Sequence, residues 1–479
     1  MAAVVSASLV PVPASAQASF CAGREVTIEG TGRSDRIEGT PGRDVISALG
    51  GDDVVLGGRG ADVVCDGEGD DVVRGGTGRD LLTNGRGDDR IAGGRGKDRV
   101  GSLGDSTAYA HGSDRLSGGP GADRLWAGAD QEDETYAGGP GRDHLDLQAL
   151  YEPVVVDLAQ GTVTGGGTGS VREVENVTGT GFADELYGDR EDNVLEGGLG
   201  GGIFGPMYPP GGVPDVLHGR GGHDRLDGGT GDDTIQGDAG SDVVQDGLGS
   251  DAIGGGTGND SVSTLFDCEA CEIPQEAFDG DTIRGERGID MLTGGLGDDV
   301  IAGDEGSDYL SGREGGDELS GGGGNDRLRG GSAHDTLLGG DGSDRADFSD
   351  APSAVTVDVG GASVTGGSDD FMGSIEGAFG SAFDDTLSGS AEANDLFGGD
   401  GDDVLHGRAG DDFLTGGDGE DEIFGEAGDD NLDGGFASRY LGHNQADGRR
   451  DLQDGGQGED GCFASELDEL VDCEFLMIE

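Results

Sequence analysis

One aliphatic position recurs every nine residues between residues 30 and 101, set among glycine and polar residues. It is occupied in turn by Ile37, Ile46, Val55, Val64, Val73, Leu82, Ile91 and Val100. A unit with one apolar position forms a short strand and a glycine-rich turn, because glycine adopts the left-handed conformations that tight turns need. One such strand cannot bury its side chain alone. The fixed period therefore predicts a solenoid, in which stacked units share a core.

An aspartate stands two residues before each of these aliphatic positions, and glycines fill most of the turn before it. The unit reads G-G-x-G-x-D-x-U-x, as in GGRGADVVC at 57–65 and GGTGRDLLT at 75–83. It resembles the haemolysin-type calcium-binding nonapeptide repeat of the RTX (repeats-in-toxin) family. The resemblance implies an all-β fold, a right-handed parallel β-roll (β-solenoid) with short strands. In that family two nonapeptides make one coil, and multiple Ca²⁺ ions are held between successive turns.

Two units to a coil would place Asp53 and Asp71 on the same side of adjacent coils, about 4.8 Å apart. Calcium–oxygen distances are about 2.3–2.6 Å, so an ion between two coils reaches an oxygen of each. The alternative for a single aspartate is a solvated residue in an Asx-turn. The long ladders favour calcium, because each stacked pair of carboxylates repels by about 1 kcal/mol in water when no cation is bound.

The predicted metal ligands are the aspartates of four uninterrupted runs. They are Asp35, Asp44, Asp53, Asp62, Asp71, Asp80, Asp89 and Asp98; Asp215, Asp224, Asp233, Asp242, Asp251 and Asp260; Asp281, Asp290, Asp299, Asp308, Asp317, Asp326, Asp335 and Asp344; and Asp403, Asp412, Asp421 and Asp430.

Composition narrows the class of protein. The chain has 479 residues, a formal net charge of −70, 106 glycines and 5% aromatic residues. The excess of acidic residues argues against nucleic acid as a partner. This composition is also typical of disorder, which is the state expected of the calcium-free chain, whereas the strict register of the aliphatic position argues against permanent disorder. Collagen is excluded because glycine does not recur at every third residue.

The six cysteines are even in number, which in an exported chain favours three disulfides. Sequence alone does not fix their pairing, and our expectation is Cys21–Cys65, Cys268–Cys271 and Cys462–Cys473. Cys268 and Cys271 also form a C-x-x-C motif, which is typical of zinc or redox sites. No second pair of metal ligands lies nearby, so we favour a local disulfide.

The repeats divide the chain into arrays, modules and loops. We expect a secretory signal at 1–16, a first β-roll array at 17–146, a strand-rich module at 147–198, further arrays at 199–347 with an acidic cysteine loop at 264–280, a second strand-rich module at 348–397, a third array at 398–460 and a C-terminal cap at 461–479. The signal rests on an apolar run and the A-x-A site Ala14-Ser15-Ala16, although a positive n-region is missing. No later stretch approaches the roughly 18 apolar residues of a membrane span.

The two modules are copies of one another, 201 residues apart: Val154, Val156, Glu175 and Asp184 of the first correspond to Val355, Val357, Glu376 and Asp385 of the second. The alternating apolar positions in VVVDLAQGTVTGGG (154–167) predict longer strands than those of the nonapeptides. The two modules and the surface loops at breaks in the repeat would interrupt the β-roll.

These patterns predict an extracellular calcium-binding protein with a structural or adhesive role, whose β-roll folds on binding calcium. The Pro- and Tyr-bearing loop at 203–214 is the best candidate contact for a cell-surface or extracellular partner. No catalytic residue is predicted, because the chain lacks an H-E-x-x-H helix and a G-x-S-x-G elbow. The alternative is an RTX-type secreted hydrolase or toxin with its catalytic site in the modules or insertions. The apolar C-terminal end also resembles signals for type I secretion, which leaves the export route open.

Overall fold

The computed structural model of the chain describes residues 3–5, 19–102, 112–128, 133–165, 167–198, 212–263, 280–366, 370–435, 452–457, 460–464, 469–471, 473 and 475–478. Every regular element in these ranges is a β-strand. No described helix therefore has the length and apolar character needed to span a membrane. The chain forms two compact units, Met1–Ala239 with Gln245–Gly247, and Gly240–Val244 with Leu248–Glu479.

The first unit consists of two parallel sheets of short strands and a small antiparallel pair. Its strands are β1 Ala3–Val5, β2 Phe20–Cys21, β3 Arg24–Glu25, β4 Ile28–Thr31, β5 Asp35–Glu38, β6 Val45–Leu49, β7 Val54–Arg59, β8 Val63–Cys65, β9 Val72–Gly78, β10 Leu81–Thr83, β11 Arg90–Gly96, β12 Arg99–Gly101, β13 Arg115–Ser117, β14 Arg124–Trp126, β15 Thr135–Ala137, β16 His144–Asp146, β17 Val155–Asp157, β18 Thr162–Thr164, β19 Thr168–Arg172, β20 Asn176–Thr178, β21 Glu185–Tyr187, β22 Val194–Gly198, β23 Val216–His218, β24 Arg225–Thr230 and β25 Thr234–Gln236. The next strand, β26 Val243–Leu248, contributes residues to both units.

Successive nonapeptides of the first unit alternate between its two sheets. In one sheet Val55 pairs with Val73, and in the other Val64 pairs with Leu82, each by parallel pairing between adjacent coils. One coil is therefore 18 residues, the separation between equivalent ladder aspartates. Val55, Val64 and Leu82 are fully buried between the sheets. Each such side chain contributes roughly 1.5–3 kcal/mol to stability relative to an exposed one.

The turns bring backbones so close together that some positions accept only glycine. Gly60 has a φ of 126°, and a Cβ built on it would lie 2.5 Å from the Gly42 carbonyl oxygen of the preceding coil. An L-residue would be strained there both by its φ and by this approach. Glycine at this position therefore follows from the stacking of coils.

The second unit repeats the same architecture. Its strands are β27 Ala252–Thr257, β28 Ser261–Ser263, β29 Thr282–Gly288, β30 Met291–Thr293, β31 Val300–Gly306, β32 Tyr309–Glu314, β33 Glu318–Gly324, β34 Arg327–Ser332, β35 Thr336–Gly342, β36 Arg345–Asp347, β37 Thr356–Asp358, β38 Ser363–Thr365, β39 Phe371–Gly373, β40 Gly377–Phe379, β41 Thr386–Ser388, β42 Asp395–Asp400, β43 Val404–Ala409, β44 Phe413–Asp418, β45 Glu422–Ala427, β46 Asn431–Gly435, β47 Leu452–Asp454, β48 Gly461–Ala464, β49 Glu469–Val471 and β50 Phe475–Ile478. Leu310 pairs with Leu328 in one sheet and Ile301 with Leu319 in the other. The predicted all-β parallel β-roll is confirmed in both units.

Insertions between repeats leave the strand register intact. Ile91 pairs with Leu116 across the break that begins after the first run of repeats. In the second unit Ile253 pairs with Ile283 across the acidic cysteine loop. Most of the inserted residues are not among those that the structure describes. The coils on either side of an insertion stack as neighbours, as expected for loops that leave one coil and return to it.

The modules interrupt the run of nonapeptides as predicted, but the prediction of longer strands in them is wrong, because β17 and β18 have three residues each. In the first copy β17 turns back into an antiparallel hairpin with β18, and β15 and β19 pair in parallel across it. In the second copy β37 and β38 form the same hairpin, and β35 pairs in parallel with β39. The strand β17 ends after three residues because the Asp157 carboxylate accepts a hydrogen bond from the Gln160 backbone N–H at 2.8 Å, which closes a turn. Each module is thus one enlarged coil that carries a hairpin.

Two of the three predicted disulfides are present. Cys21–Cys65 ties the N-terminal segment to β8, with a Cα–Cα distance of 5.8 Å. Cys462–Cys473 joins β48 to the tail, with a Cα–Cα distance of 5.9 Å. Cys268–Cys271 lies outside the described residues, as do most of the loop at 203–214 and most of the segment at 1–16. The predicted C-terminal cap extends both sheets by one coil, because β49 pairs with β47 and β50 with β48.

Candidate metal sites in the repeat turns

The repeat aspartates form ladders that run along the turns of each unit. In most ladder members one carboxylate oxygen accepts a hydrogen bond from the backbone N–H of the equivalent ladder residue one coil earlier. Asp53 donates to Asp71 Oδ1 at 2.6 Å, and in the second unit Asp308 donates to Asp326 Oδ1 at 2.8 Å. This contact fixes the side chain across the gap between coils. All of the predicted ligands are buried, including the remaining ladder members Asp215, Asp224, Asp233, Asp242, Asp251, Asp281 and Asp421.

The second oxygen, Oδ2, sets these aspartates apart from ordinary buried side chains. In most ladder members it is buried and has no hydrogen-bond partner among the described residues. This holds for Asp53, Asp62, Asp71, Asp80, Asp89, Asp98, Asp123, Asp143, Asp260, Asp290, Asp308, Asp317, Asp326, Asp335, Asp344, Asp403, Asp412 and Asp430. A buried carboxylate oxygen with no donor is costly, so a row of them requires an electropositive partner.

Backbone carbonyls converge on the same positions. The point where a Cβ would stand on Gly75 is 2.6 Å from Asp80 Oδ2 and 2.6 Å from the Gly93 carbonyl oxygen of the next coil. The equivalent point on Gly57 is 2.9 Å from Asp62 Oδ2 and 2.6 Å from the Gly75 carbonyl oxygen. Glycine at the first position of the repeat therefore lets a carboxylate oxygen and a carbonyl oxygen of adjacent coils approach each other. Both are hard oxygen donors of the kind that Ca²⁺ prefers.

The electrostatics of the ladder oppose the charged form of these carboxylates. Burial raises the pKa of Asp71 to about 7 and that of Asp89 to about 8, and the neighbouring ladder carboxylates add to the rise. In the second unit burial likewise raises the pKa of Asp317 to about 7, with Asp299 and Asp335 contributing repulsion. Without a cation the ionised form of the ladder carboxylates is therefore unfavourable. The residues present fit a divalent cation in both charge and donor type.

A second class of turn closes on its own aspartate. Asp44 Oδ2 accepts hydrogen bonds from the backbone N–H of Thr40 at 2.6 Å and from its hydroxyl at 3.0 Å. Asp35 is held in the same way by Thr31, and Asp299 Oδ2 accepts from the Gly295 N–H at 2.8 Å. We call these closed turns. Three predicted ligands, Asp35, Asp44 and Asp299, thus already have protein donors for the oxygen that is unpartnered elsewhere.

Closed turns also occur within each module, where the residue four positions before the ladder residue is Thr, Ser or Asp in place of the second glycine. Thr180 donates to Asp184, and Ser381 donates to Asp385. One unit further along the chain the ladder residue is Asn394, whose Oδ1 accepts from the Ser390 backbone N–H at 2.5 Å. An amide has one acceptor oxygen and no charge. Its presence fits a turn that does not require an anion.

Several ladder residues escape the sequence prediction because insertions displace them from the nine-residue spacing. Asp430 donates its backbone N–H to Asp460 Oδ1 at 2.9 Å, a separation of 30 residues. In the modules a glutamate replaces the aspartate: Asp143 donates to Glu175 Oε2 at 2.7 Å and Asp344 to Glu376 Oε2 at 2.9 Å. The sequence indicates these glutamates only through the duplication of the modules, in which Glu175 corresponds to Glu376. Asp114, Asp123 and Asp143 likewise continue the ladders of the first unit.

Comparison with known families agrees with this geometry. A search of curated proteins finds no match to the chain. The family model described as RTX calcium-binding nonapeptide repeat (4 copies) matches residues 29–64, 66–100, 112–145, 174–203, 214–235, 227–262, 278–310, 311–346, 379–414 and 406–438. The matches cover more than half of the chain and include the ladders of both units. The chain therefore belongs to the RTX calcium-binding nonapeptide repeat family.

Proposed function

We propose that this protein is an extracellular calcium-binding β-roll that folds when it binds calcium, and that it has a structural or adhesive role without catalytic activity. The observation that carries the proposal is the row of buried Oδ2 atoms that have no hydrogen-bond partner among the described residues. Ca²⁺ supplies positive charge and coordination positions for hard oxygen donors.

The charge of the chain supports the coupling of binding to folding. The net charge is −70, and the ladders bring carboxylates of adjacent coils into direct succession. The core that opposes this repulsion is narrow, since each nonapeptide of the arrays buries one aliphatic side chain. A ligand that binds the folded state alone adds its binding free energy to folding. We therefore expect the calcium-free chain to be expanded and largely disordered.

The extracellular assignment rests on the cysteines and on calcium together. Cys21–Cys65 and Cys462–Cys473 are within disulfide distance, and disulfides persist in oxidising compartments. Millimolar free calcium, which weak extracellular calcium modules use, is also found outside cells. The proposal of a structural or adhesive role is supported by the repetitive strands and turns of the described residues.

The test is circular dichroism of the full chain during a calcium titration that starts in EGTA, with a parallel titration in magnesium. We expect a cooperative gain of β-structure in calcium and a weak response to magnesium, whose smaller octahedral shell fits carbonyl-rich turns poorly. A chain that is equally β-rich in EGTA and in millimolar calcium would refute the coupling of folding to binding.

A further inference from the structure

The nonapeptide that begins at residue 66 has an acidic residue at its first position, where the repeat has glycine. Residues 66–71 read D-G-E-G-D-D, so Asp66 stands where the neighbouring units have Gly57 and Gly75. One coil later the same position is Asn84. The first position is where a ladder carboxylate and a carbonyl of the next coil converge, as described above for Gly75. Asp66 thus adds a side-chain carboxylate at a position that is glycine in the neighbouring units.

The side chain of Asp66 is completely buried and points into a group of carboxylates. Its Oδ1 accepts a hydrogen bond from the Gly67 N–H at 2.7 Å, while its Oδ2 is buried without a hydrogen-bond partner among the described residues. One carboxylate oxygen from each of Asp66, Asp71 and Asp89 lies within 4.8 Å of the other two. All three residues have an exposed fraction of 0%.

The surroundings of this group supply oxygen atoms and further negative charge. Asn84 Nδ2 donates to Asp114 Oδ2 at 2.6 Å, and Asn84 Oδ1 is buried with no hydrogen-bond partner among the described residues. Burial raises the pKa of Asp66 well above its usual value, and the carboxylates of Asp89, Asp71 and Asp114 add to the rise. A buried carboxylate without a cation or a donor is strongly unfavourable.

We propose that Asp66, Asp71 and Asp89 together hold one Ca²⁺ ion in a buried three-carboxylate site, with Asn84 Oδ1 as a neighbouring neutral oxygen. The choice of calcium rests on the proposed function, whereas the existence of the site rests on the buried group of Asp66, Asp71 and Asp89. This site differs from the turns of Gly57 and Gly75 because a side chain at the first repeat position contributes to it.

The third carboxylate sets the order in which calcium binds. Affinity for calcium rises with the number of charged ligands, and three carboxylates give this site one more than a pair of ladder aspartates has. We therefore expect the Asp66 site to fill at a free calcium concentration lower by about tenfold or more than the ladder sites of the same array. Its occupation would join the coils of β9 and β11, which pair in parallel.

The experiment counts bound calcium on the full chain by equilibrium dialysis against buffered free calcium, with metal measured by mass spectrometry. The variants are Asp66→Asn, which keeps the shape of the side chain, and Asp66→Gly, which restores the residue of the neighbouring repeats. The control is Glu68→Gln, which removes one negative charge, as Asp66→Asn does, from an exposed side chain of the same turn. Circular dichroism in saturating calcium verifies that each variant folds.

We expect both Asp66 variants to bind one tightly held ion fewer than the wild type and Glu68→Gln. Equal ion numbers and equal affinities in the wild type and both Asp66 variants would overturn the proposal, as would an equal loss in Glu68→Gln. If the wild type folds on calcium and only this tight ion is missing, the further inference fails and the proposed function stands. If no variant binds calcium, both fail.

Discussion

Asp326 offers the sharpest test of the ladder, because its two oxygens have different surroundings. Its Oδ1 accepts a hydrogen bond from the Asp308 N–H at 2.8 Å, and its own N–H donates to Asp344 Oδ1 at 2.8 Å. Its Oδ2 is buried without a hydrogen-bond partner among the described residues. Asp326→Asn keeps the Oδ1 acceptor and removes the negative charge. The variant should therefore weaken calcium binding both above and below residue 326 while leaving the backbone contact in place.

The magnitude follows from linkage. A site that binds only the folded state adds about 1.4 kcal/mol to the free energy of unfolding for each tenfold rise in free calcium above its Kd. Loss of the two sites that share Asp326 should lower this dependence by about 2.8 kcal/mol per tenfold change in calcium. The measurement is urea unfolding at a series of buffered calcium concentrations, followed by circular dichroism.

The matched control is Asp299→Asn, a closed turn in the same run of repeats. Asp299 Oδ2 already accepts from the Gly295 N–H at 2.8 Å, so its charge is less available to a cation. We expect this variant to lose about 1–3 kcal/mol of stability if the amide group leaves that N–H without an acceptor, with a smaller change in calcium dependence. Equal calcium dependence in Asp326→Asn and Asp299→Asn, or an unchanged dependence in Asp326→Asn, would refute the distinction between ladder and closed turns.

Four further predictions concern pH, the disulfide, the closed turns and catalysis. In EGTA the folded state should gain stability as the pH falls, because the pKa values of Asp71 and Asp317 are raised to about 7 in it. The stability that protonation of these carboxyls contributes is lost as the pH rises through that value. In saturating calcium, circular dichroism should detect little change between pH 6 and 8. Replacing both cysteines of the Cys21–Cys65 bridge with serine should lower the free energy of unfolding by about 4 kcal/mol, since the bridge closes a loop of 44 residues, and urea unfolding of wild type and variant in calcium measures it. Thr180→Val should cost about 1 kcal/mol in calcium, because the hydroxyl that donates to Asp184 at 2.9 Å is lost, whereas an unchanged urea midpoint would contradict the closed turn. Purified protein should hydrolyse neither casein nor a triglyceride ester with or without calcium; a calcium-dependent activity abolished by substituting one histidine would contradict a non-catalytic role.

The periodic part of the fold could be predicted from sequence because one local rule repeats. A buried aliphatic residue every nine positions is enough to define two sheets, and the pairing of Val64 with Leu82 follows from it. The same period located the ladder aspartates, since each has a fixed distance from the buried residue. Local spacing and three-dimensional position agree wherever no residue is inserted.

The other features depend on contacts that the period does not encode. The hairpin of the modules has alternating apolar residues that are also typical of a longer strand, and the turn at Asp157 decides between them. Whether the Oδ2 of an aspartate has a donor depends on whether the backbone N–H four positions earlier reaches it, as the N–H of Thr40 does for Asp44 and that of Gly295 does for Asp299. The role of Asp66 depends on stacking with the next coil. Sequence spacing gives the positions of these residues but not the direction in which their side chains point.

The alternation of nonapeptides between two sheets has a consequence for the evolution of such chains. Duplication or loss of a single nonapeptide would transfer every later strand of the array to the opposite sheet, so the ladders on both sides would exchange partners. Duplication or loss of a pair leaves all later strands in their own sheets, because Val55 and Val73 occupy equivalent positions one pair apart. An insertion within a turn likewise leaves later strands in their own sheets, as the pairing of Ile253 with Ile283 demonstrates. Unequal recombination can therefore change the length of an array freely only in whole coils, while loops between coils diversify independently of that count.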